Sequence, residues 1–159
     1  MKIAVTGASG HIGSSVCRQL LDRGYEVVAL VFDDKEAIEG LPLEIIKGNV
    51  LDRSSLKSLL EGCHGVIHAA GQIPLGYKFD QKMYDINVKG TLNMLEVAKE
   101  LGVKRFVQFS SVHAYRQGPH DKPVTDQSEF IKDGESIYYD QTKRDGHLLA
   151  LEAAKNGQE

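Results

Sequence analysis

Tryptophan is absent from this 159-residue chain, and cysteine and proline are scarce, with two and four residues respectively. Cys17 falls inside a helical pattern and Cys63 just after another, with neither C-x-x-C spacing nor a histidine cluster beside them, which excludes a disulfide framework and a cysteine-ligated zinc site. Both read as reduced thiols of a cytoplasmic protein. No apolar stretch approaches the ~18 residues of a membrane span. Met1 leads straight into a strand-like run with no basic-then-apolar leader, so a soluble, unexported protein without a membrane partner is expected. A net charge of −3 with mixed signs leaves no basic footprint for nucleic acid. At this length the chain is read as one domain, residues 1–159, with a sizeable core.

Glycine, by contrast, is concentrated where it can do chemistry. The opening segment Lys2-Ile3-Ala4-Val5-Thr6-Gly7-Ala8-Ser9-Gly10-His11-Ile12-Gly13 is an apolar run that breaks into glycines spaced three apart. A buried strand delivers the chain to a sharp corner there. Glycine lets the backbone approach a phosphate, and the following helix turns its free N–H groups and positive dipole end toward it. A side chain at Gly7 or Gly10 is expected to fill the ligand's space. The spacing is G-x-x-G-x-x-G rather than G-x-G-x-x-G, so the reading depends on a strand before, a helix after and an acidic residue near the end of the next strand.

Strand-like runs then alternate with amphipathic stretches. Strands are predicted near 2–6, 26–31, 43–47, 65–70 and 105–110, and helices near 11–23, 53–61, 83–101 and 137–155. Ser54 or Asp52 can cap the second helix. Such alternation predicts an α/β doubly wound parallel sheet with right-handed crossovers. Residues 112–135, carrying Gly118, Pro119, Pro123 and Gly134, are long for a loop; an active-site flap and a plain surface excursion are both open.

Two features suggest a reactive site. Tyr139-Asp140-Gln141-Thr142-Lys143 sets a phenol and an ammonium at i, i+4 on one helix face, where a nearby ammonium favours the phenolate and prepares it for proton exchange with a hydroxyl or carbonyl. Ser110-Ser111 ends the fifth strand at the carboxyl edge of the sheet, where open α/β sheets bind ligands.

With these residues in place, the chain resembles the extended short-chain dehydrogenase/reductases, especially their NAD-dependent epimerase/dehydratase and dihydroflavonol-reductase-like branches. The resemblance runs from Met1 to about Lys155 and rests on the glycine turn, Gly48-Asn49-Val50-Leu51-Asp52, His68-Ala69-Ala70, Asn87-Val88-Lys89-Gly90-Thr91, Phe109-Ser110-Ser111 and Tyr139 to Lys143. It implies a Rossmann-like domain that binds NAD or NADP through Gly7, Ser9, Gly10, His11, Ile12, Gly13, Phe32, Asp33, Asn49, Val50, Ala69, Ala70, Gly71, Asn87 and Lys143. Ser111 would hydrogen-bond the reacting oxygen, Tyr139 would be the acid/base, and Lys143 would lower its pKa while binding the nicotinamide ribose. Asn49 stands where relatives carry an acid, and its amide oxygen can still accept from an adenine amino group. At the end of the second strand, Leu30-Val31-Phe32-Asp33-Asp34 puts valine and phenylalanine where relatives place an acid or an arginine. Asp33 is read as sharing the face of Val31, near the ~20-residue offset of a ribose-binding acid. The balance falls slightly toward NAD.

Several residues keep two readings. His68 is more simply packed beside the cofactor than catalytic; His11 faces solvent or the phosphates; His113 and His120 lie in the flap; Tyr115 either touches substrate or packs. Relatives continue beyond this point with a sixth strand and a C-terminal substrate domain. The expectation is therefore the cofactor-binding part of an oxidoreductase, epimerase or dehydratase acting on a small-molecule substrate, a sugar nucleotide or a small carbonyl or alcohol. Whether this length turns over is open, and the alternative is a non-catalytic dinucleotide-binding module that senses cofactor or docks a partner. A strand order of 3-2-1-4-5 would leave the fifth strand as an edge, with Phe106, Val107 and Phe109 poorly covered. That edge and the family's helical dimer interface both point to a homo-oligomer or to a longer chain.

Overall fold

A computed structural model of the chain describes residues 1–73, 79–118 and 123–158. The apolar runs form five parallel strands, β1 (Lys2–Thr6), β2 (Glu26–Val31), β3 (Glu44–Lys47), β4 (Gly65–His68) and β5 (Arg105–Gln108), in the order β3-β2-β1-β4-β5. Helices α1 (His11–Asp22), α2 (Arg53–Leu60), α3 (Gln81–Tyr84), α4 (Gly90–Glu100) and α5 (Tyr138–Lys155) make the connections. Parallel strands need such crossovers, so both faces of the sheet are available for burial. The doubly wound α/β fold is the one the alternation predicts.

Two cores follow from strand alternation. On one face Ala4, Val28, Leu30 and Val66 pack against Leu56 and Leu59 of α2 and Met94 and Val97 of α4. On the other, Val5, Val27, Ala29 and Val31 pack against Cys17 of α1 and Ile38 of a short 3-10 turn. Burying an aliphatic side chain contributes ~1.5–3 kcal/mol, so these two layers hold the sheet against its large ordering entropy. Thr6 pairs across the ladder with both Leu30 and His68. Adjacent strands thus end level, and their carboxyl termini share one rim.

Asp52 is the residue that caps α2, its carboxylate accepting from the Ser54 amide at 3.0 Å. The long helix predicted over 83–101 is broken by a π-turn at Asp85–Lys89 between α3 and α4. A single π-turn within a helix re-aims one side chain at the cost of an irregular ladder, and here that side chain is Asn87.

β5 is one edge of the sheet, as the order required. Val107 is exposed on it, but Phe106 is not: it faces the α2 and α4 layer and packs on that core, because alternation along β5 sends it to the covered side. The segment 112–135 is more structured than a plain excursion. A 3-10 turn, Val112–Ala114, leads to a bridge between Tyr115 and Phe130, and the Ile131 amide donates to the Ala114 carbonyl at 3.2 Å. Pro119 and His120 lie outside the described residues. Among the described residues no helix is long and apolar enough to cross a membrane.

Candidate functional site

The site lies on the rim formed by the carboxyl ends of the strands, in two adjoining parts. The first is a cleft of about 420 Å³ lined by Gly7, Ser9 and Gly10 from the turn after β1, Leu30 and Phe32 from the end of β2, Gly48 to Leu51 after β3, Ala69 to Gly71 after β4, and Lys82 and Ile86 from α3 and the π-turn. Its glycines are required by the closeness of the chain itself. Gly7 has φ of +67°, and a Cβ there would sit 2.7 Å from the Ala69–Ala70 peptide. A Cβ on Gly13 would come within 2.0 Å of the Gly7 carbonyl oxygen. A side chain at Gly7, expected to fill ligand space, would also strike the neighbouring loop. No side chain caps α1 at Gly10, so the start of the helix can serve an anion through its backbone N–H groups. Phe32, Leu51 and Ile86 add apolar side chains to this backbone-lined cleft, and a glycine turn leading into an uncapped helix start fits the pyrophosphate of a dinucleotide.

The second part is a cluster over the end of β5. Tyr139 is half-buried and engages the Ser111 hydroxyl. Ser111 Oγ also accepts from the His113 amide at 3.2 Å. Lys143 Nζ donates to the Phe109 carbonyl at 3.0 Å. A Cβ on Gly71, at the end of the cleft, would lie 3.9 Å from that same nitrogen, so cleft and cluster adjoin. The Tyr139 phenol is raised above the ordinary tyrosine range, chiefly by burial; the Ser111 hydroxyl pulls it down and the Asp140 carboxylate pushes it up. The i, i+4 spacing predicted the opposite, a phenol lowered by Lys143. Lys143, whose ammonium donates to the Phe109 carbonyl, is not among the causes of that shift, and burial lowers the pKa of the lysine itself.

Asn87 joins the two parts. Its Oδ1 accepts from the Gln72 amide at 2.7 Å, while Nδ2 donates to the Gln72 carbonyl and to Thr142 Oγ1 of α5, both at 3.0 Å. Gly146 lets α5 approach this closely, since a Cβ there would lie 2.8 Å from the Asn87 carbonyl oxygen. Beneath it runs a buried relay. The Thr91 hydroxyl donates to the Asn87 carbonyl at 2.8 Å, so it accepts from His68 Nε2 at 3.2 Å. His68 Nδ1 then accepts from the Thr6 hydroxyl at 2.6 Å, and Thr6 Oγ1 accepts from the Ala70 amide at 3.2 Å. The donor inventory thereby assigns a neutral His68 with its proton on Nε2. Burial, aided by the Lys143 charge, pushes its pKa down to about 3, in keeping with the reading of His68 as a packed residue.

Of the residues expected to hold a cofactor, Gly7, Ser9, Gly10, Phe32, Asn49, Val50, Ala69, Ala70 and Gly71 line the cleft. Asn87 and Lys143 stand at its far end. Gly13 acts through packing, and His11 and Ile12 instead line a shallow groove along the flank of α1. Asp33 is exposed and is not among the cleft residues. β2 ends at Val31, so the alternation that put Asp33 on the face of Val31 stops before reaching it. Leu30, Gly48, Leu51, Lys82 and Ile86 line the cleft as well; Gly48 and Leu51 belong to the Gly48–Asp52 motif, whereas no sequence signal marks Leu30, Lys82 or Ile86. Tyr115 packs, stacking on Phe130 with centroids 4.9 Å apart.

A doubly wound sheet with a glycine-lined cleft and a Ser-Tyr-Lys cluster on one rim defines a dinucleotide-binding α/β protein. The chain belongs to the NAD dependent epimerase/dehydratase family, whose model matches residues 3–158. It is 34% identical over 173 residues to cinnamoyl-CoA reductase 1 of Oryza sativa subsp. japonica, covering 99% of this chain and 50% of that protein. Among solved structures, a short-chain dehydrogenase/reductase superfamily protein from Agrobacterium tumefaciens with bound NAD superposes with a TM-score of 0.81 at 28% identity, covering 94% of this chain and 44% of that one. UDP-glucose 4-epimerase from Bifidobacterium longum, in complex with NAD+ and UDP, shares the fold with a TM-score of 0.84 at 24% identity, covering 99% and 50%. The chain spans about half the length of the curated relatives it matches.

Proposed function

We propose that this chain is the cofactor-binding and proton-transfer part of an NAD-dependent oxidoreductase, epimerase or dehydratase acting on a small carbonyl or alcohol or on a sugar nucleotide. The observation that carries the reading is the convergence of Ser111, Tyr139 and Lys143 at the Gly71 end of the cleft. In this reading the glycine turn and the start of α1 hold the pyrophosphate, the Phe32, Asn49 and Leu51 end holds the adenosine, and the Ala69 to Gly71 backbone lines the way to the cluster. NAD supplies, when bound, a carbon centre that accepts or returns a hydride. Ser111 orients the reacting oxygen. Tyr139, held protonated by burial, gives its proton to that oxygen in the reducing direction and recovers one in the oxidising direction. Lys143 and Asn87 fix the approach of α5 to the cleft.

NAD is favoured over NADP because the residue at the end of β2 that lines the cleft is Phe32, which offers no cation to a 2′-phosphate. Self-association is carried forward in the same way: Leu92 of α4 and Leu148 and Leu151 of α5 are each about two-fifths exposed.

The test is carbonyl reduction with C4-deuterated NADH by the wild-type chain and by Tyr139→Phe, each beside a cofactor-binding titration. Deuterium incorporation by the wild type, lost in Tyr139→Phe with binding intact, is expected. Binding without turnover in both would favour the alternative of a dinucleotide-binding module.

A further inference from the structure

Helix α5 carries a third residue on the face that meets the reactive segment. Tyr139, Lys143 and His147 recur at i, i+4 and i+8, and so lie on one stripe of the helix. Each contacts a different residue of the chain leaving β5. Tyr139 engages Ser111, Lys143 Nζ donates to the Phe109 carbonyl at 3.0 Å, and His147 Nδ1 lies 2.7 Å from Ser110 Oγ. Phe109, Ser110 and Ser111 are thus fastened to α5 one after another.

The imidazole is itself held. His147 packs edge-on against Tyr115, with centroids 5.6 Å apart at 86°, and against Phe130, at 5.2 Å and 72°. Those two rings stack on each other across the Tyr115–Phe130 bridge. Burial and the neighbouring Lys143 charge lower the histidine's pKa, which keeps the ring neutral and suited to a plain hydrogen bond with a serine. The His147 ring therefore meets Ser110 through Nδ1 and the Tyr115 and Phe130 rings of the segment that follows.

We propose that His147 is a positioning residue for the Ser111–Tyr139–Lys143 cluster. It acts through Ser110, setting the backbone from which the Ser111 hydroxyl and the Phe109 carbonyl project. This assignment rests on the reading of that cluster as the nicotinamide end of the site. The hydrogen bond, rather than the ring's packing, is the part that matters for register. Two substitutions separate them. His147→Phe keeps a ring between Tyr115 and Phe130 and loses the bond to Ser110; His147→Asn keeps a polar atom near the position of Nδ1 and loses most of the ring.

The experiment compares NADH and ADP affinities of the wild type and both variants, with thermal stability measured alongside. ADP reads only the glycine-turn half of the cleft, whereas NADH also reads the cluster. A lost hydrogen bond lowers affinity roughly three- to tenfold. His147→Phe is expected to weaken NADH by that factor and leave ADP unchanged, while His147→Asn stays near the wild-type NADH:ADP ratio even if it melts earlier. NADH binding by His147→Phe equal to that of the wild type, or a parallel loss of NADH and ADP, would overturn the assignment. A wild type that binds NADH no better than ADP would instead contradict the nicotinamide placement under Proposed function. Amide hydrogen exchange over 109–115 then decides the positioning role: faster exchange in His147→Phe but not in His147→Asn supports it, and unchanged exchange in both refutes it.

Discussion

Lys143 Nζ donates to the carbonyl of Phe109, 34 residues earlier, at 3.0 Å, and fastens α5 to the chain leaving β5. The neighbouring Tyr139 phenol is governed by burial, Ser111 and Asp140. Two opposite shifts follow. Ser111→Ala removes the contact that lowers the phenol and raises its pKa further; Asp140→Asn removes a charge that raises it and lowers it. Tyrosine labelled at the ring Cζ with 13C, followed by NMR through alkaline pH, reads both directions. A downward shift in Ser111→Ala would contradict the assignment of causes.

His68 makes stability depend on pH. Its folded pKa, about 3, lies below the 6.5 of a free histidine, so the unfolded chain takes up the proton first as pH falls. The stabilisation is complete above pH 6.5 and is lost as pH drops toward 3. Between pH 7 and pH 5 the loss is about 2 kcal/mol, with His147 shifted in the same direction and adding to it. Urea denaturation across this range measures the slope, and His68→Asn is expected to flatten it.

Asn87 is predicted to be the most costly polar residue of the site to remove. Asn87→Ala strands the Gln72 amide and carbonyl, for a loss of ~1–3 kcal/mol, read by denaturation. Asn87→Asp keeps the acceptor for the Gln72 amide but loses both donor bonds, and its loss should be of similar size because it adds a buried charge.

Cofactor choice should be movable at Phe32, which is exposed and lines the cleft. An arginine there can meet a 2′-phosphate with a charge-assisted bond of ~1.5–3 kcal/mol, equivalent to roughly ten- to a hundredfold in affinity. Paired NADPH and NADH titrations of Phe32→Arg are expected to show a gain confined to NADPH. An equal gain for both would place the 2′ position elsewhere.

Much of this architecture is legible in the amino-acid order. Apolar runs of strand length, each followed by a helical pattern, determine the parallel sheet, and Gly7 and Gly13 mark the close approaches that build the cleft. Ser111 is visible because it follows β5 on the carboxyl rim of the sheet, and Tyr139 and Lys143 because their i, i+4 spacing opens the last helix. Less legible is what depends on geometry between distant segments. The π-turn has no compositional mark, so the aim of Asn87 could be named but not its bonds to Gln72 and Thr142. The Ser110–His147 bond spans 37 residues and involves a histidine with no motif around it. The i, i+4 spacing of Tyr139 and Lys143 gives proximity along a helix and says nothing of the Phe109 carbonyl that the ammonium meets. The place of Asp33 is not legible from the strand pattern, since alternation holds only to Val31, where β2 stops.

The central claim is that a dinucleotide lies along the cleft with its nicotinamide against the Tyr139–Lys143 cluster. Titration of NADH against the wild-type chain, following nicotinamide fluorescence with ADP as competitor, tests it most directly. The account predicts saturable binding with altered nicotinamide emission that ADP displaces; absence of saturable binding, or binding that ADP fails to displace, would contradict it.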